Sequence, residues 1–367
     1  MIYLTVFAGI ITQRLLIDVR SLICFAVVLC ALASSLIASE SSKVSIGSLA
    51  LLLAIHVPYL FRLRAWSAET RLIEQAITNI AAALAVAGIV QFFAQFVVGA
   101  EIAFLLDQDR YRSIRLDGYN YLNSVFPGIY KANAFVLLEA SYLNQFLCLA
   151  LIVEAIYFGR LFRYILYIAG IFVTFSGTGL LTIAFILPLI VLKMRRYELA
   201  AALGIFVILA AIFAETLGTS TFVARTAELS EPGSSGYARF VSPFLYLGEF
   251  ALSDVRYALF GRGPGTVEET WSRFGIALYA PTWSKLLYEY GVVGTAAYAI
   301  FLSSVFSRCG TSIYVKMAVL IQYFLLGGYL SITVVHALIL ALVAWRPDSH
   351  ESAGHARTSA GILRTPS

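Results

Sequence analysis

Cysteine is scarce in this chain: Cys24, Cys30, Cys148 and Cys309 are the only four in 367 residues, and each falls in an apolar run or beside a basic joint. That placement supports neither a disulfide framework nor a thiolate metal site. Histidine is equally rare, with His56 and His336 inside apolar runs and His350 and His355 in the polar C-terminal stretch. No His/Glu metal spacing, Walker loop or Ser-His-Asp arrangement appears, so no metal, no cofactor and no ATPase motor is expected. Charged residues make up only 13% of the chain, and the net charge of +5 mostly reflects where short basic joints fall. It is not a signal for nucleic acid. No internal repeat is detectable, which counts against the usual architecture of secondary transporters.

Long apolar runs are what the chain has instead. Hydrophobic residues are 60% of it, in blocks separated by short charged joints. Eleven candidate spans are read at 2–12, 21–38, 46–61, 78–99, 134–158, 161–176, 178–192, 197–214, 284–306, 312–328 and 329–345. A bilayer core takes about 20 apolar residues per helix, and only closed helical hydrogen bonding makes such runs tolerable in lipid. The expectation is an all-α polytopic membrane protein with about eleven transmembrane helices. The first run lacks the basic start and cleavage site of a signal peptide and is read as retained. Residues 164–192 are too long for one straight span, and Ser176-Gly177-Thr178-Gly179 predicts a break into two.

Loop charge orients the spans. With Arg14, Arg20, Arg62, Arg64, Arg71, Arg160, Arg163, Lys193, Arg195, Arg196, Arg308 and Arg346 in the cytoplasm, only Lys43 falls in a short loop on the other side. The positive-inside rule then predicts an external N-terminus and a cytoplasmic C-terminus. Residues 1–346 form the membrane domain, and the polar stretch 347–367 is expected to be a disordered cytoplasmic tail.

Two long segments remain outside, about 101–133 and 215–283. Their Tyr, Phe and Trp content predicts order. Phe240, Phe244, Leu247 and Ala251 recur at helical spacing and predict an interfacial helix, and Gly261-Arg262-Gly263-Pro264-Gly265 predicts a tight turn. Arginine there has a chemical use: its planar fork binds pyrophosphate bidentately, and N–H groups of a glycine turn add donors.

Several segments in one order resemble the bacterial O-antigen and exopolysaccharide polymerase/ligase superfamily, the Wzy-like membrane proteins. Lys131-Ala132-Asn133-Ala134-Phe135 with Leu138-Glu139-Ala140-Ser141-Tyr142 resembles its basic residue followed by a Glu-Pro-Ser-type motif. Phe175 to Leu181 resembles its turn between two spans, Leu259 to Gly265 its late periplasmic Gly-x-Gly-x-Gly, and Pro281 to Gly294 the segment entering the next span. The resemblance covers about 131–306 and implies a GT-C-like membrane glycosyltransferase of the bacterial inner membrane, with both long loops and the active site periplasmic. It implies undecaprenyl-pyrophosphate-linked glycans as substrates, with a flippase and a chain-length regulator as companions. Ligases of the superfamily carry a His-Asn-type pair where this chain has Tyr279-Ala280-Pro281-Thr282, and neither external loop holds a histidine. Polymerase is therefore expected over O-antigen ligase, with a lipid-linked oligosaccharide flippase or transporter as the alternative from another class.

In that reaction charge develops on the pyrophosphate, and a base accepts the proton of the acceptor hydroxyl. Arg239 is the first expected pyrophosphate contact, placed where it follows a Ser-Ser-Gly-Tyr turn and opens the interfacial helix. Arg262 is second, against the bland reading of a solvated arginine between glycines; Lys131 and Arg115 follow. Glu139, near the external end of a span, is the expected catalytic carboxylate or else an ion-pair partner of Lys131 or Arg115. Glu289 stands four residues from Lys285 and is expected to pair with it. Tyr237, Tyr279, Trp271 and Trp283 could stack on sugars or form an interfacial aromatic belt. His56 and His336 are expected to be satisfied core residues.

Overall fold

The computed structural model describes residues 2–39, 44–64, 70–104, 124–126, 128–205, 208, 230–232, 234–267, 280–327 and 334–346. Arg115, Trp271, Tyr279, His350, His355 and the tail 347–367 lie outside the described residues. The described chain is mostly helical. The helices are α1 (Ile2–Ile11), α2 (Val19–Ala38), α3 (Ile46–His56), α4 (Thr70–Val97), α5 (Ala100–Ala103), α6 (Ala140–Tyr157), α7 (Leu161–Val173), α8 (Thr178–Met194), α9 (Ser235–Phe240), α10 (Ser242–Tyr246), α11 (Val255–Phe260), α12 (Thr282–Ser307), α13 (Ile313–Ile321) and α14 (Val334–Ile339), with a further helical stretch at 197–205. Val19–Ala38, Arg71–Val97, Ala140–Tyr157 and Thr282–Ser307 are each long and apolar enough to cross a membrane, and five shorter apolar helices accompany them. Length and composition thus suit a membrane-embedded helical protein.

The chain forms two compact units: Met1–Ser67 with Gly218–Thr311 and Tyr323–Ser367, and Ala68–Leu217 with Ser312–Gln322. In the first unit α2 is the ruler. Asp18 caps its start, accepting from the Ser21 N–H, and Ser39 ends it in extended backbone. Twenty residues rise about 30 Å, the thickness of a hydrocarbon core. Around Asp18 the basic joints gather. Strands β1 (Leu15–Ile17) and β2 (Phe61–Leu63) pair antiparallel with Leu16 opposite Arg62. Arg64 N–H donates to Arg14 O at 2.8 Å, Leu63 N–H to Trp345 O at 3.0 Å, and Arg308 reaches Asp18 at 2.5 Å. At the other end Ser39 Oγ donates to Arg262 O at 2.6 Å and Ser45 N–H to Pro264 O at 2.9 Å. Helix α12 therefore runs antiparallel to α2, and Arg14, Arg62, Arg64 and Arg308 lie at the same end of the first unit.

Between these ends lies a buried polar core. His56 Nδ1 is 2.7 Å from Leu52 O, its Nε2 is 2.6 Å from Tyr298 Oη, and that oxygen is 2.5 Å from Tyr323 Oη. Tyr59 Oη is 2.9 Å from His336 Nδ1. All five side chains are buried and each has a partner, so both histidines are satisfied core residues as the sequence predicts.

The second unit is organised on α6, whose Ala140–Tyr157 run is 78% buried. Asn144 holds the predicted break between α7 and α8: its Nδ2 donates to Thr174 Oγ1 at 2.9 Å, and its Oδ1 accepts from Gly179 N–H at 2.7 Å. Glu154, fully buried, accepts from Arg160 Nε and Nη2, both at 2.7 Å. Donation of its hydrogen bonds to the Glu154 carboxylate, together with that group's charge, holds the Arg160 guanidinium above its ordinary pKa. Arg160→Ala leaves that carboxylate stranded, and the expected cost is about 3 kcal/mol. This is the low end for a broken buried pair, because the arginine itself is 38% exposed. Arg160→Lys should recover part, lacking the fork. Chemical unfolding of the purified protein at neutral pH measures both, and wild-type stability for Arg160→Ala would refute the assignment.

Three expectations are corrected, and one is refined. The span read from residue 134 starts as a helix only at Ala140, because 130–133 is held in extended form by side-chain amides. Gln95 Oε1 accepts from Tyr130 N–H at 2.8 Å, Gln91 Oε1 accepts from Asn133 N–H at 2.9 Å, and Ala134 and Phe135 then take left-handed φ of 56° and 63°. The span read at 46–61 is helical to Leu60, its last turn a 3-10 helix with Pro58 near its start that leads into β2. The interfacial helix is three pieces, α9, α10 and a π-helical Leu247–Ala251. Phe240 and Phe244 are exposed while Leu247 and Ala251 are buried, so the four share no face. Finally, the helical rule admits short strands: β1 with β2, and β3 (Ser124–Phe126) with β4 (Ile129–Tyr130).

Candidate functional site

Helix α11 starts at Asp254, which accepts from Arg256 N–H at 2.7 Å, and stops at Gly261. Gly261 has φ +77°, and a Cβ there would press on the backbone of Glu289 and Tyr290. The reason lies in α12, which is interrupted at Gly291 (φ 64°, ψ −170°). The carbonyls of Tyr288 and Glu289 accept instead from the turn, Arg262 N–H at 2.9 Å and Gly263 N–H at 2.9 Å. A Cβ on Gly291 would in turn press on Leu259 and Gly261 backbone. The glycine turn and the helix break are thus one joint, made by two glycines facing each other.

Charged and aromatic side chains surround it. Arg262 is half-buried and engaged: its Nε donates to Phe250 O at 2.6 Å and its guanidinium lies 4.2 Å from the Tyr257 ring centre. Arg262 keeps part of its surface in solvent while the turn folds back onto α11 and holds the rest. Glu289 is fully buried, with Lys285 Nζ at 3.8 Å, the i,i+4 pair that the sequence predicts. Tyr246 and Tyr288 meet edge-to-face at 5.6 Å, and Phe244 lies 5.4 Å from Trp283. Tyr246 and Tyr288 belong to a packed cluster with Leu247, Ala251, Val267 and Ala280, against which Trp283 packs half-buried, while Phe244 stays exposed. Burial pushes the Tyr246 phenol far above its ordinary pKa, and it stays neutral.

Arg239 is half-buried and sits in the last turn of α9, not its first, because Ser234 caps that helix by accepting from Tyr237 N–H at 3.1 Å. Helix-terminal N–H donors therefore do not add to its charge, contrary to expectation. Tyr237, in the same helix, is half-buried.

Lys131 and Glu139 belong to the second unit. Lys131 is half-buried between two backbone-anchored neighbours: Tyr130, held by Gln95, and Ala132, whose N–H donates to Val173 O at 3.1 Å. Glu139 stands at the N-cap of α6, a favourable place for negative charge. Its carboxylate accepts from Ser141 Oγ at 2.6 Å; among the described residues its partner is Ser141, not Lys131. Arg115 lies outside the described residues.

Sequence reasoning missed the break at Gly291 and the burial of Glu289. The signal present was a glycine directly after Tyr288-Glu289-Tyr290 inside an otherwise apolar span. Among the described residues no group of three or more His, Cys, Asp or Glu gathers as metal ligands do. Comparison with protein-family models, curated proteins and solved structures finds no match to this chain.

Proposed function

We propose that this chain is a membrane glycosyltransferase, a polysaccharide polymerase of the bacterial inner membrane with about eleven spans and a periplasmic active site. The observation that carries the reading is the glycine turn locked into the broken helix α12. It gathers an arginine, a lysine and a buried carboxylate at the end of the first unit away from the basic joints. Interrupted helices at the edge of an apolar bundle are where membrane proteins place polar chemistry. The order of loosely matching motifs along 131–306 points to the same class.

In this reading the donor is a glycan on undecaprenyl pyrophosphate and the acceptor a hydroxyl of a second lipid-linked unit. The bond between the anomeric carbon and the pyrophosphate oxygen breaks, and a bond to the acceptor oxygen forms. The acceptor proton passes to a carboxylate, and undecaprenyl pyrophosphate leaves. Arg239 and Arg262 oppose the charge that grows on the leaving group. Glu139 and Glu289 are the two carboxylates for the base, and the absence of histidine from both long loops favours polymerase over ligase.

Deleting the gene tests this. Single repeat units should accumulate on undecaprenyl pyrophosphate at the outer face while long chains vanish. Accumulation at the inner face would replace the proposal with a flippase. Long chains left intact but not attached to their final acceptor would replace it with a ligase.

A further inference from the structure

The second unit has a basic end of its own, where the joint between α6 and α7 meets the joint between α8 and the helical stretch 197–205. Gly159 ends α6 with φ +77°, and the Arg196 guanidinium lies against it: a Cβ there would come within 2.5 Å of Nη1 and 3.1 Å of Cζ. Arg196 is carried to that place by Arg195, which closes α8 in left-handed backbone at φ 54° and ψ 37°. Such backbone is costly for a residue with a Cβ, yet an arginine stands there.

The cations of the first joint are committed. Arg160 is held by Glu154, and Arg163 donates to Thr78 O at 3.1 Å and Asn79 Oδ1 at 2.9 Å. Those of the second joint are not. The side chains of Lys193, Arg195 and Arg196 find no hydrogen-bond acceptor or ion-pair partner among the described residues, and neither Glu74 nor Glu198 pairs with any of the three. Lys193 and Arg195 are exposed, and Arg196, half-buried on Gly159, has no nitrogen sealed from the surface. The helix dipole accounts for part of this: Lys193 and Arg195 stand at the negative end of α8. Arg196 has left that end for Gly159, beside the first turn of α7, where the dipole is positive and a further cation is unfavourable.

The neighbours of these cations select the partner. Phe162, next to Arg163, is 74% exposed; Leu192, next to Lys193, is 76% exposed; and Tyr197, next to Arg196, is exposed as well. Bare aliphatic and aromatic groups interleaved with free cations suit the boundary of a bilayer, where the apolar groups enter the acyl layer and the cations meet phosphates. A soluble polyanion would leave Phe162 and Leu192 in water. Guanidinium forks at Arg195 and Arg196 match the oxygens of a phosphate.

We propose that this end of the second unit binds an anionic lipid, its headgroup phosphate held by Arg195 and Arg196 with Lys193 beside them. None of these residues belongs to the proposed transfer machinery. The test uses the full chain purified in detergent. Its thermal midpoint is followed against phosphatidylglycerol and, separately, phosphatidylcholine in mixed micelles at fixed ionic strength. Phosphatidylglycerol should raise the midpoint by mass action, and phosphatidylcholine should not. Arg195→Gln and Arg196→Gln should each weaken the apparent affinity roughly fivefold, the share of one cation near an anionic surface, and the two combined with Lys193→Gln roughly a hundredfold. In phosphatidylcholine these variants should keep the wild-type midpoint, because the side chains removed have no partner among the described residues. Arg14→Gln, at the basic end of the first unit, should respond to phosphatidylglycerol as wild type. Four results would each overturn the proposal. Equal stabilisation by both lipids would make the surface merely apolar, and an equal loss in Arg14→Gln would make the response diffuse charge. Stabilisation by inorganic phosphate in place of lipid would make the partner a soluble anion. An undiminished response in the triple variant, or a lowered midpoint in phosphatidylcholine, would leave these cations with another role.

Discussion

Gly291→Ala should destabilise the protein by about 2–5 kcal/mol, the sum of a left-handed backbone forced on an L-residue and of overpacking against a rigid neighbour. The neighbour is backbone, Leu259 and Gly261, which cannot rotate away as a side chain can. Gly261→Ala meets the mirror-image obstacle in Glu289 and Tyr290 and should cost a similar amount. Because both break one joint, the double variant should cost clearly less than the sum of the singles. Gly204→Ala is the control: it has open space and helical surroundings, and alanine there should be neutral or stabilising by up to about 1 kcal/mol. Unfolding midpoints of the purified variants in detergent decide the matter. A wild-type midpoint for Gly291→Ala would mean that the turn and the helix break are not joined.

The second large effect is on turnover. Arg239→Ala should reduce polymer about 100-fold at normal protein level, the size of losing one fixed donor to a developing negative charge. Arg239→Lys should recover only part, keeping the charge but not the fork. Glu139→Gln and Glu289→Gln separate the two carboxylates: the base loses turnover with substrate affinity retained, the other does not. Glu289→Gln also breaks the 3.8 Å pair with Lys285, so its protein level is measured alongside, and Lys285→Met reports the pair's share. His56→Ala and His336→Ala should leave the turnover of folded protein largely intact. Full polymer from Arg239→Ala combined with Glu139→Gln and with Glu289→Gln would place the chemistry elsewhere.

Much of the helical framework was legible because lipid-compatible helices are apolar throughout, a pattern composition alone reveals. The break between α7 and α8 was legible for another reason: Gly177 and Gly179 interrupt the run themselves. The start of α6 was not. Ala134-Phe135-Val136-Leu137-Leu138 reads as span, and nothing local shows that Gln91, 42 residues earlier, has taken over Asn133's backbone N–H. Gly291 was hidden likewise, since a lone glycine in an apolar run is usually tolerated packing and its partner Gly261 lies 30 positions away. For the site, the arginines could be named from charge alone. What engages Arg262 could not be, because Phe250 and Tyr257 meet it only after the chain reverses at Gly261.

The buried tyrosines and histidines of the first unit have a sense of direction. A carbonyl only accepts, so the His56 nitrogen facing Leu52 O carries the hydrogen. A neutral ring then offers its other nitrogen as a lone pair, which makes Tyr298 the donor and leaves the Tyr298 oxygen to receive the hydrogen of Tyr323. The row runs one way, from the π-helical segment Gln322–Leu326 through α12 to α3. None of these hydroxyls can rotate alone without two hydrogens colliding or two lone pairs facing. Three segments far apart in sequence are keyed in azimuth by the order of their hydrogens, a constraint that greasy packing of the same volume would not impose.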